Sequence, residues 1–108
     1  MNTAHKISTE TFRGWFKANL ADSSADIASY GCDAGFPGIT YTSDCVDLYN
    51  RFEDEIYDSL REEAENSGFD SVDAFTATFN RKDMLNEPNQ RKTLLVWYMC
   101  ERLAWEVC

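Results

Sequence analysis

The chain has 108 residues, of which 44% are hydrophobic and 14% aromatic, and its formal net charge is −9. This composition excludes an intrinsically disordered chain, and the length suits a single domain, residues 1–108, around one core. The acidic excess argues against direct binding of nucleic acid, which needs a basic face. No stretch approaches the ~20 apolar residues of a membrane span. We therefore expect one folded domain that contacts neither nucleic acid nor membrane directly.

The first residues and the cysteines indicate a cytoplasmic protein. Residues 1–6 lack the apolar core of a signal peptide. The four cysteines contain no C-x-x-C pair and fit free thiols in a reducing compartment, although a Cys32–Cys45 bridge stays open. His5 is the only histidine, so we expect neither a metal site nor a cofactor. The cysteines are Cys32, Cys45, Cys100 and Cys108.

Two helices are predicted in the first 31 residues. Ser8 or Thr9 can cap the first helix, which then carries four apolar residues on one face. A shorter helix follows Asp22 or Ser23, and Gly31 suits the position just past its last turn. The apolar face of the first helix consists of Phe12, Trp15, Phe16 and Leu20.

A glycine-rich loop separates the second helix from the third. Residues 31–38 hold three of the five glycines and one of the two prolines, a composition typical of turns. The spacing is not that of a dinucleotide-binding or P-loop motif, and no basic residue lies between Lys17 and Arg51. Two interpretations stay open: a tight corner with Phe36, Ile39 and Tyr41 in the core, or a contact loop.

The next segment is predicted to form one long acidic helix, capped by Thr42 or Ser43 and ended by Asn66-Ser67-Gly68. Its apolar residues recur at steps of three and four, which places them on one face. Between residues 44 and 65 the chain carries nine carboxylates and two arginines. At about 100° per residue, seven of the carboxylates share an arc opposite the apolar face: Asp44, Asp47, Asp54, Glu55, Asp58, Glu62 and Glu65.

A face of one charge sign has two interpretations. Net charge away from zero favours solubility, and a single-sign face can also bind a cationic cleft. A helix rises ~1.5 Å per residue, so the predicted face holds one carboxylate per ~5 Å, against one phosphate per ~3.4 Å of a single DNA strand and one charge per ~1.7 Å of duplex. This helix therefore resembles at best one nucleic-acid strand.

The C-terminal third predicts two further helices and completes the fold class. Asp70 can cap the first of them, with Val72, Phe75 and Phe79 facing inward. Pro88 suits the first turn of the last helix, which is apolar on nearly all sides and is therefore predicted to be buried and central. All three tryptophans are expected in the core. We predict an all-α, compact single-domain bundle of about five helices.

No constellation for catalysis is present. Nucleophilic and acid–base catalysis need a positioned base beside the reacting group, and His5 is the only imidazole. The sequence also lacks a G-x-S-x-G elbow. We therefore expect a protein that is not an enzyme.

Three stretches carry a resemblance to a known group: the 27–38 loop IASYGCDAGFPG, the 48–56 helix LYNRFEDEI and the 94–99 segment LLVWYM. Over residues 27–108 the chain resembles small acidic domains of unknown function in bacteriophage proteins. In size and charge it is similar to anti-CRISPR and anti-restriction proteins as a class. The resemblance implies a phage-encoded stoichiometric inhibitor of anti-CRISPR type, acting in the cytoplasm of the host bacterium. Its partner would be a host defence protein with a basic surface, such as a Cas effector subunit. The alternative is a non-catalytic phage accessory or structural interaction domain.

Overall fold

The computed structural model describes residues 11–79 and 81–107, and this part of the chain is helical without a strand. The Cα radius of gyration is 13.6 Å, close to the ~13 Å of a compact domain of this length. The predicted all-α bundle is confirmed. Its α-helices are α1 (Phe12–Leu20), α2 (Ser24–Tyr30), α3 (Thr42–Arg51), α4 (Glu53–Asn66), α5 (Val72–Thr76) and α6 (Pro88–Val107); 3-10 turns span Ala21–Ser23, Cys32–Ala34 and Lys82–Asn86.

The central helix is α6, as its composition predicts. Pro88 occupies its first position, where the missing N–H costs no hydrogen bond. The helix contacts α1, α2, α3 and α4 along its length. Only its last turn departs from the prediction, because Trp105 is 68% exposed while Leu103 and Ala104 beside it are buried. The expectation of a core Trp105 is wrong, since Trp105 lies on the solvent side of α6, away from the buried Leu103 and Ala104.

The first two helices begin and end close to their predicted limits. The hydroxyl of Thr11 caps α1 by accepting a hydrogen bond from the Gly14 N–H at 2.9 Å; the predicted caps Ser8 and Thr9 lie outside the described residues. Helix α2 ends at Gly31, whose φ of +82° favours glycine. The Gly31 N–H donates to the Ile27 carbonyl at 2.8 Å, so the predicted glycine stop is confirmed.

The glycine-rich loop between α2 and α3 is mainly a structural corner. Ile39 is fully buried and Phe36 half-buried, as expected, but Tyr41 is 69% exposed. The position of Tyr41 as the extended N-cap residue of α3 explains this error, because the chain turns at this residue. A Cβ on Gly38, whose φ is +86°, would lie 3.1 Å from the Trp15 ring, so this glycine permits the close packing of the loop on α1.

The predicted long acidic helix is in fact two helices, because the chain leaves the helical conformation at Phe52 (φ −119°, ψ +27°). This ψ differs by about 70° from the helical value, so the axis changes direction between α3 and α4. The Phe52 ring is buried and forms a T-shaped contact with the Phe12 ring, with the ring centroids 5.9 Å apart. The prediction of one continuous helix is wrong. The apolar periodicity runs through Phe52 without a glycine or proline, which is why the sequence does not reveal the break.

Two predicted helix caps are also corrected. The helix that contains Thr42 and Ser43 has Tyr41 as its N-cap residue, without a side-chain capping bond. Helix α5 is capped by Ser71 and not by Asp70, since the Ser71 hydroxyl accepts from the Ala74 N–H at 3.1 Å. Both differences are shifts of one or two residues, which is the usual uncertainty of a helix boundary.

Candidate functional site

The seven carboxylates predicted as one binding face are divided between two helices. Asp44 and Asp47 lie on α3, and the other five lie on α4. Asp47 is exposed and Asp44 half-buried. Because the axis changes direction at Phe52, the α3 pair does not continue the arc formed on α4. The candidate site is therefore the outer side of α4.

The prediction that Glu55 points freely into solvent is wrong. The Glu55 side chain binds the start of α1. Its Oε1 accepts from the Phe12 N–H at 2.6 Å and its Oε2 from the Arg13 N–H at 3.2 Å. The first N–H groups of a helix have no partner within the helix, and a carboxylate there also interacts favourably with the helix dipole. Glu55 is thus a long-range cap that fixes α1 on α4. The idealised helical wheel misses this, since it ignores neighbouring helices.

A second carboxylate of α4, Glu63, also points inward and forms an ion pair with Arg102 of α6. Arg102 reaches Glu106 at 3.6 Å, and Glu106 binds Arg13 of α1 at 2.6 Å. The hydrogen bond from Arg13 lowers the pKa of Glu106, with a further contribution from Arg102. This network ties α1, α4 and α6 together, and it leaves Glu63 outside the candidate binding surface.

Four predicted carboxylates remain on the outer side of α4, and we call them the acidic face: Asp54, Asp58, Glu62 and Glu65, all exposed. From Asp54 to Glu65 the face is ~16 Å long at ~1.5 Å per residue. Asp58 pairs with Arg61 at 2.7 Å. Within residues 11–79 and 81–107, the other three make no ion pair. The acidic face is thus a compact patch with Arg61 at its border.

A groove beside the acidic face was not predicted from the sequence. It has a volume of about 270 Å³, and we call it the Tyr57 groove. Tyr57 is 39% exposed and Phe69 half-buried, so apolar surface lies next to charge. Tyr57 stands four residues before Arg61, a spacing that places both on one side of a helix, and this was the available signal. The groove is lined by Tyr57, Arg61, Ala64, Glu65, Phe69 and Asp70, among others.

The family model described as a domain of unknown function (DUF7222) matches residues 4–108. The chain belongs to this family. No curated protein and no solved structure matches it. The family description states no activity, so the resemblance to bacteriophage domains and to anti-CRISPR proteins stays a prediction.

Three of the four cysteines are placed in the core. Cys32, Cys45 and Cys100 are buried free thiols; Cys108 lies outside the described residues. Burial raises the pKa of Cys45 to about 11 and also raises the pKa of Cys100. The thiolate is the reactive form of cysteine, so the thiols of Cys45 and Cys100 are poor nucleophiles.

Residues 11–79 and 81–107 present neither a metal-binding cluster nor a membrane-spanning helix. Among them, no group of three or more histidine, cysteine or acidic side chains is placed to hold a metal ion. Of the helices in the same ranges, including the 20-residue α6, none combines the length and the hydropathy of a membrane span. The acidic face with its groove is the candidate site.

Proposed function

We propose that this domain is a stoichiometric inhibitor that places its acidic face into a basic, nucleic-acid-binding surface of a partner protein. The partner that we propose is a subunit of a bacterial defence complex, in particular a Cas effector, and the source is a bacteriophage. The observation that carries the proposal is the exposed group of four carboxylates on α4, with Arg61 at its border.

Electrostatics explains how such a face selects a partner. A single-sign patch steers a complementary surface into contact and raises the association rate. The carboxylates of the acidic face stand ~5 Å apart on average, wider than the ~3.4 Å between phosphates of one strand. The face therefore offers part of the charge of a short single strand and suits a cleft that normally holds one.

Charge alone gives rate and selectivity more than affinity, so a stable complex needs an apolar contact as well. The Tyr57 groove supplies one directly beside the charge. Tyrosine and arginine are enriched among the residues that dominate binding energy at interfaces, and Tyr57 and Arg61 both line the groove. We propose that the partner contacts the acidic face and the groove together.

A second candidate function is a non-catalytic phage accessory or structural interaction domain without a defence target. It is favoured by the exposure of two tyrosines at the glycine-rich loop, Tyr30 at 71% and Tyr41 at 69%. Exposed aromatic residues on loops are frequent contact residues. In this alternative, the loop and not the acidic face would be the interface.

The test combines capture with an interference assay. The tagged domain is used to capture proteins from a bacterial lysate at low and high salt, and it is expressed in bacteria whose CRISPR system targets a phage. The charge-reversed variant Asp54→Lys, Asp58→Lys, Glu62→Lys, Glu65→Lys is compared with a control reversed off the face, Asp22→Lys, Asp26→Lys, Asp73→Lys, Asp83→Lys. In the control, Asp73 and Asp83 give up exposed ion pairs with Arg91 and Arg81, as Asp58 does with Arg61.

The expected result is that the parent and the control capture a basic nucleic-acid-binding protein and restore phage growth, whereas the face-reversed variant does neither. Circular dichroism should show the same helix content for all three proteins. If the face-reversed variant is folded and still captures the same protein, the acidic face is only a solvated surface. A loop variant, Tyr30→Ala with Tyr41→Ala, then tests the second candidate.

A further inference from the structure

A larger cavity lies away from the acidic face. It has a volume of about 450 Å³ and opens between the loop after α2, the α5–α6 connection and α6. We call it the Trp97 cavity. None of its lining residues belongs to α3 or α4, so it is independent of the proposed inhibitor surface. Its lining includes Asp33, Phe79, Arg81, Trp97, Tyr98 and Glu101.

One wall of the Trp97 cavity is a fixed aromatic surface. The rings of Phe79 and Tyr98 stack with centroids 4.9 Å apart, and Phe75 packs edge-on against both at 5.3 and 5.8 Å. The Trp97 indole N–H donates to the Ile39 carbonyl at 2.7 Å, which fixes that ring. The face of an aromatic ring is electron-rich and attracts cations. A rigid wall of this kind is therefore suited to a positively charged group.

A cation of the protein itself already uses this environment. The Arg81 guanidinium lies over the Trp97 ring, 5.8 Å from its centroid. It also pairs with Asp33 at 3.4 Å and with Asp83 at 3.9 Å. The charge of Arg81 is thus compensated by two carboxylates, which disfavours an anion as the ligand of the cavity.

Glu101 brings a carboxylate without a cationic partner to the same cavity. It is half-buried, and its Oε2 accepts from the Cys32 N–H at 3.2 Å. In the part of the chain that the structure describes, no ion pair reaches it. Burial raises the pKa of Glu101, and the charge of Asp33 adds to this. Removing an ionised carboxylate from water is costly unless a cation accompanies it, so a bound cation would stabilise this carboxylate.

We propose that the Trp97 cavity binds an organic cation, a guanidinium or alkylammonium group, which pairs with Glu101 and Asp33 and lies against the ring surface of Tyr98. The group could belong to a free small molecule or to an arginine or lysine side chain of a protein. Both sources share this chemistry, and the experiment separates them.

The experiment is a titration followed by ¹H–¹⁵N correlation spectra of the labelled domain. The probes are ethylguanidinium and propylammonium as free cations, and N-acetylarginine amide as the side chain of a peptide. N-ethylurea is the matched control, because it has nearly the shape of ethylguanidinium without the charge. Inorganic phosphate tests for an anion site. We expect saturable shifts of the Trp97 indole N–H and of the Tyr98 and Glu101 amides with the cations alone.

Three variants assign the effect to residues. Glu101→Gln keeps an acceptor for the Cys32 N–H and should weaken ethylguanidinium binding about tenfold or more. Arg81→Ala removes a competing cation and should tighten it. Asp26→Asn, an exposed carboxylate of α2 outside the cavity, is the control and should leave it unchanged. Glu101→Gln should not lower the unfolding midpoint at neutral pH, because ionised Glu101 is disfavoured by burial; a folding defect is thereby separated from a binding defect.

Several results would overturn the proposal. They are the absence of saturable shifts with any cation, equal shifts with N-ethylurea, unchanged affinity in Glu101→Gln, or phosphate binding that Arg81→Ala abolishes. Tighter binding of N-acetylarginine amide than of ethylguanidinium would assign the site to protein side chains, and the reverse order to a free small molecule. The variant reversed on the acidic face should keep ethylguanidinium binding, so this proposal and the proposed inhibitor function can fail separately.

Discussion

The inner and outer carboxylates of α4 make a direct comparison, because they belong to the same residue types on one helix. Glu55 and Glu63 point inward, where they cap α1 and pair with Arg102. Glu62 and Glu65 point outward and make no ion pair within the described residues. The difference teaches that residue type and position on an isolated wheel do not decide whether a carboxylate serves folding or binding. The neighbouring helix decides it.

The apolar side of α4 should give the largest change in the free energy of unfolding. Leu60 is fully buried, so Leu60→Ala should lower the free energy of unfolding by about 2–5 kcal/mol, through lost burial and the cavity left behind. The control Glu65→Ala, five residues later and exposed, should change it by less than about 0.5 kcal/mol. Urea unfolding followed by circular dichroism measures both. Equal effects of the two changes would show that the inward and outward sides are assigned incorrectly.

The second prediction separates an inner from an outer carboxylate at adjacent positions. Glu55→Gln should lower the free energy of unfolding by about 1 kcal/mol more than Asp54→Asn, since only Glu55 caps α1. Both changes remove one charge from the first turn of α4, so the effect of the α4 dipole is nearly the same in the pair. Because the Gln amide keeps one acceptor oxygen, the difference measures the loss of one of the two hydrogen bonds from Phe12 and Arg13, together with the charge of Glu55 at the start of α1. If thermal or urea unfolding gives the same value for both variants, Glu55 is not a cap.

How much of this site the sequence could reveal depends on whether the cause is local. Gly31 and Pro88 were predicted correctly, because a positive φ and a missing N–H are properties of the residue itself. The break at Phe52 has no such signal, since its ring packs on Phe12 forty residues earlier in the chain. The same holds for Glu55, whose partners are the N–H groups of α1. The acidic composition was predictable, but the division of its carboxylates was not.

The cavity around Trp97 shows the same limit. The sequence indicated an apolar final helix, and most of α6 is indeed buried. It gave no indication that Asp33, Arg81 and Glu101 would meet at one cavity, because they come from three separate segments. Periodicity reports which face of a helix is apolar. It does not report which polar residues of other segments are placed beside that face.

The third prediction concerns the decrease of the free energy of unfolding at acidic pH and the contribution of the ion-pair network of Glu106 to it. The pKa of Glu106 is lowered in the folded state, chiefly by Arg13. A depressed carboxyl pKa gives stability that is present above the ordinary value of 4.5 and is lost as pH falls through the folded value. Arg13→Met should therefore flatten the loss of stability below pH 4.5. Both side chains are about half exposed, so screening keeps the effect under about 1 kcal/mol.

The measurement for this prediction is the urea midpoint at neutral pH and at a pH well below 4.5, for the parent and for Arg13→Met. The control is Arg61→Met, which removes an exposed ion pair on α4. Asp58, the partner in that pair, belongs to the acidic face and not to the α1–α4–α6 network. If Arg61→Met reduces the loss of stability at acidic pH as much as Arg13→Met does, the α1–α4–α6 network contributes no more than an ordinary exposed ion pair.

Neutralising single carboxylates of the acidic face should have the smallest effect on folding. These variants therefore separate a role in binding from a role in folding most clearly. Glu62→Gln and Glu65→Gln should each change the free energy of unfolding by less than about 0.5 kcal/mol. With the captured partner, they should lower the association rate constant at low salt and leave the dissociation rate nearly unchanged, because exposed charges act mainly through long-range steering. At high salt the Debye length shrinks from about 8 Å towards 3 Å, and the variants should then associate at the parental rate.

Glu55→Gln is the opposite case, with a lower free energy of unfolding and an unaltered salt dependence of the association rate. A change of dissociation rate in Glu65→Gln that persists at high salt would instead place Glu65 in a close contact with the partner, through the Tyr57 groove that it lines.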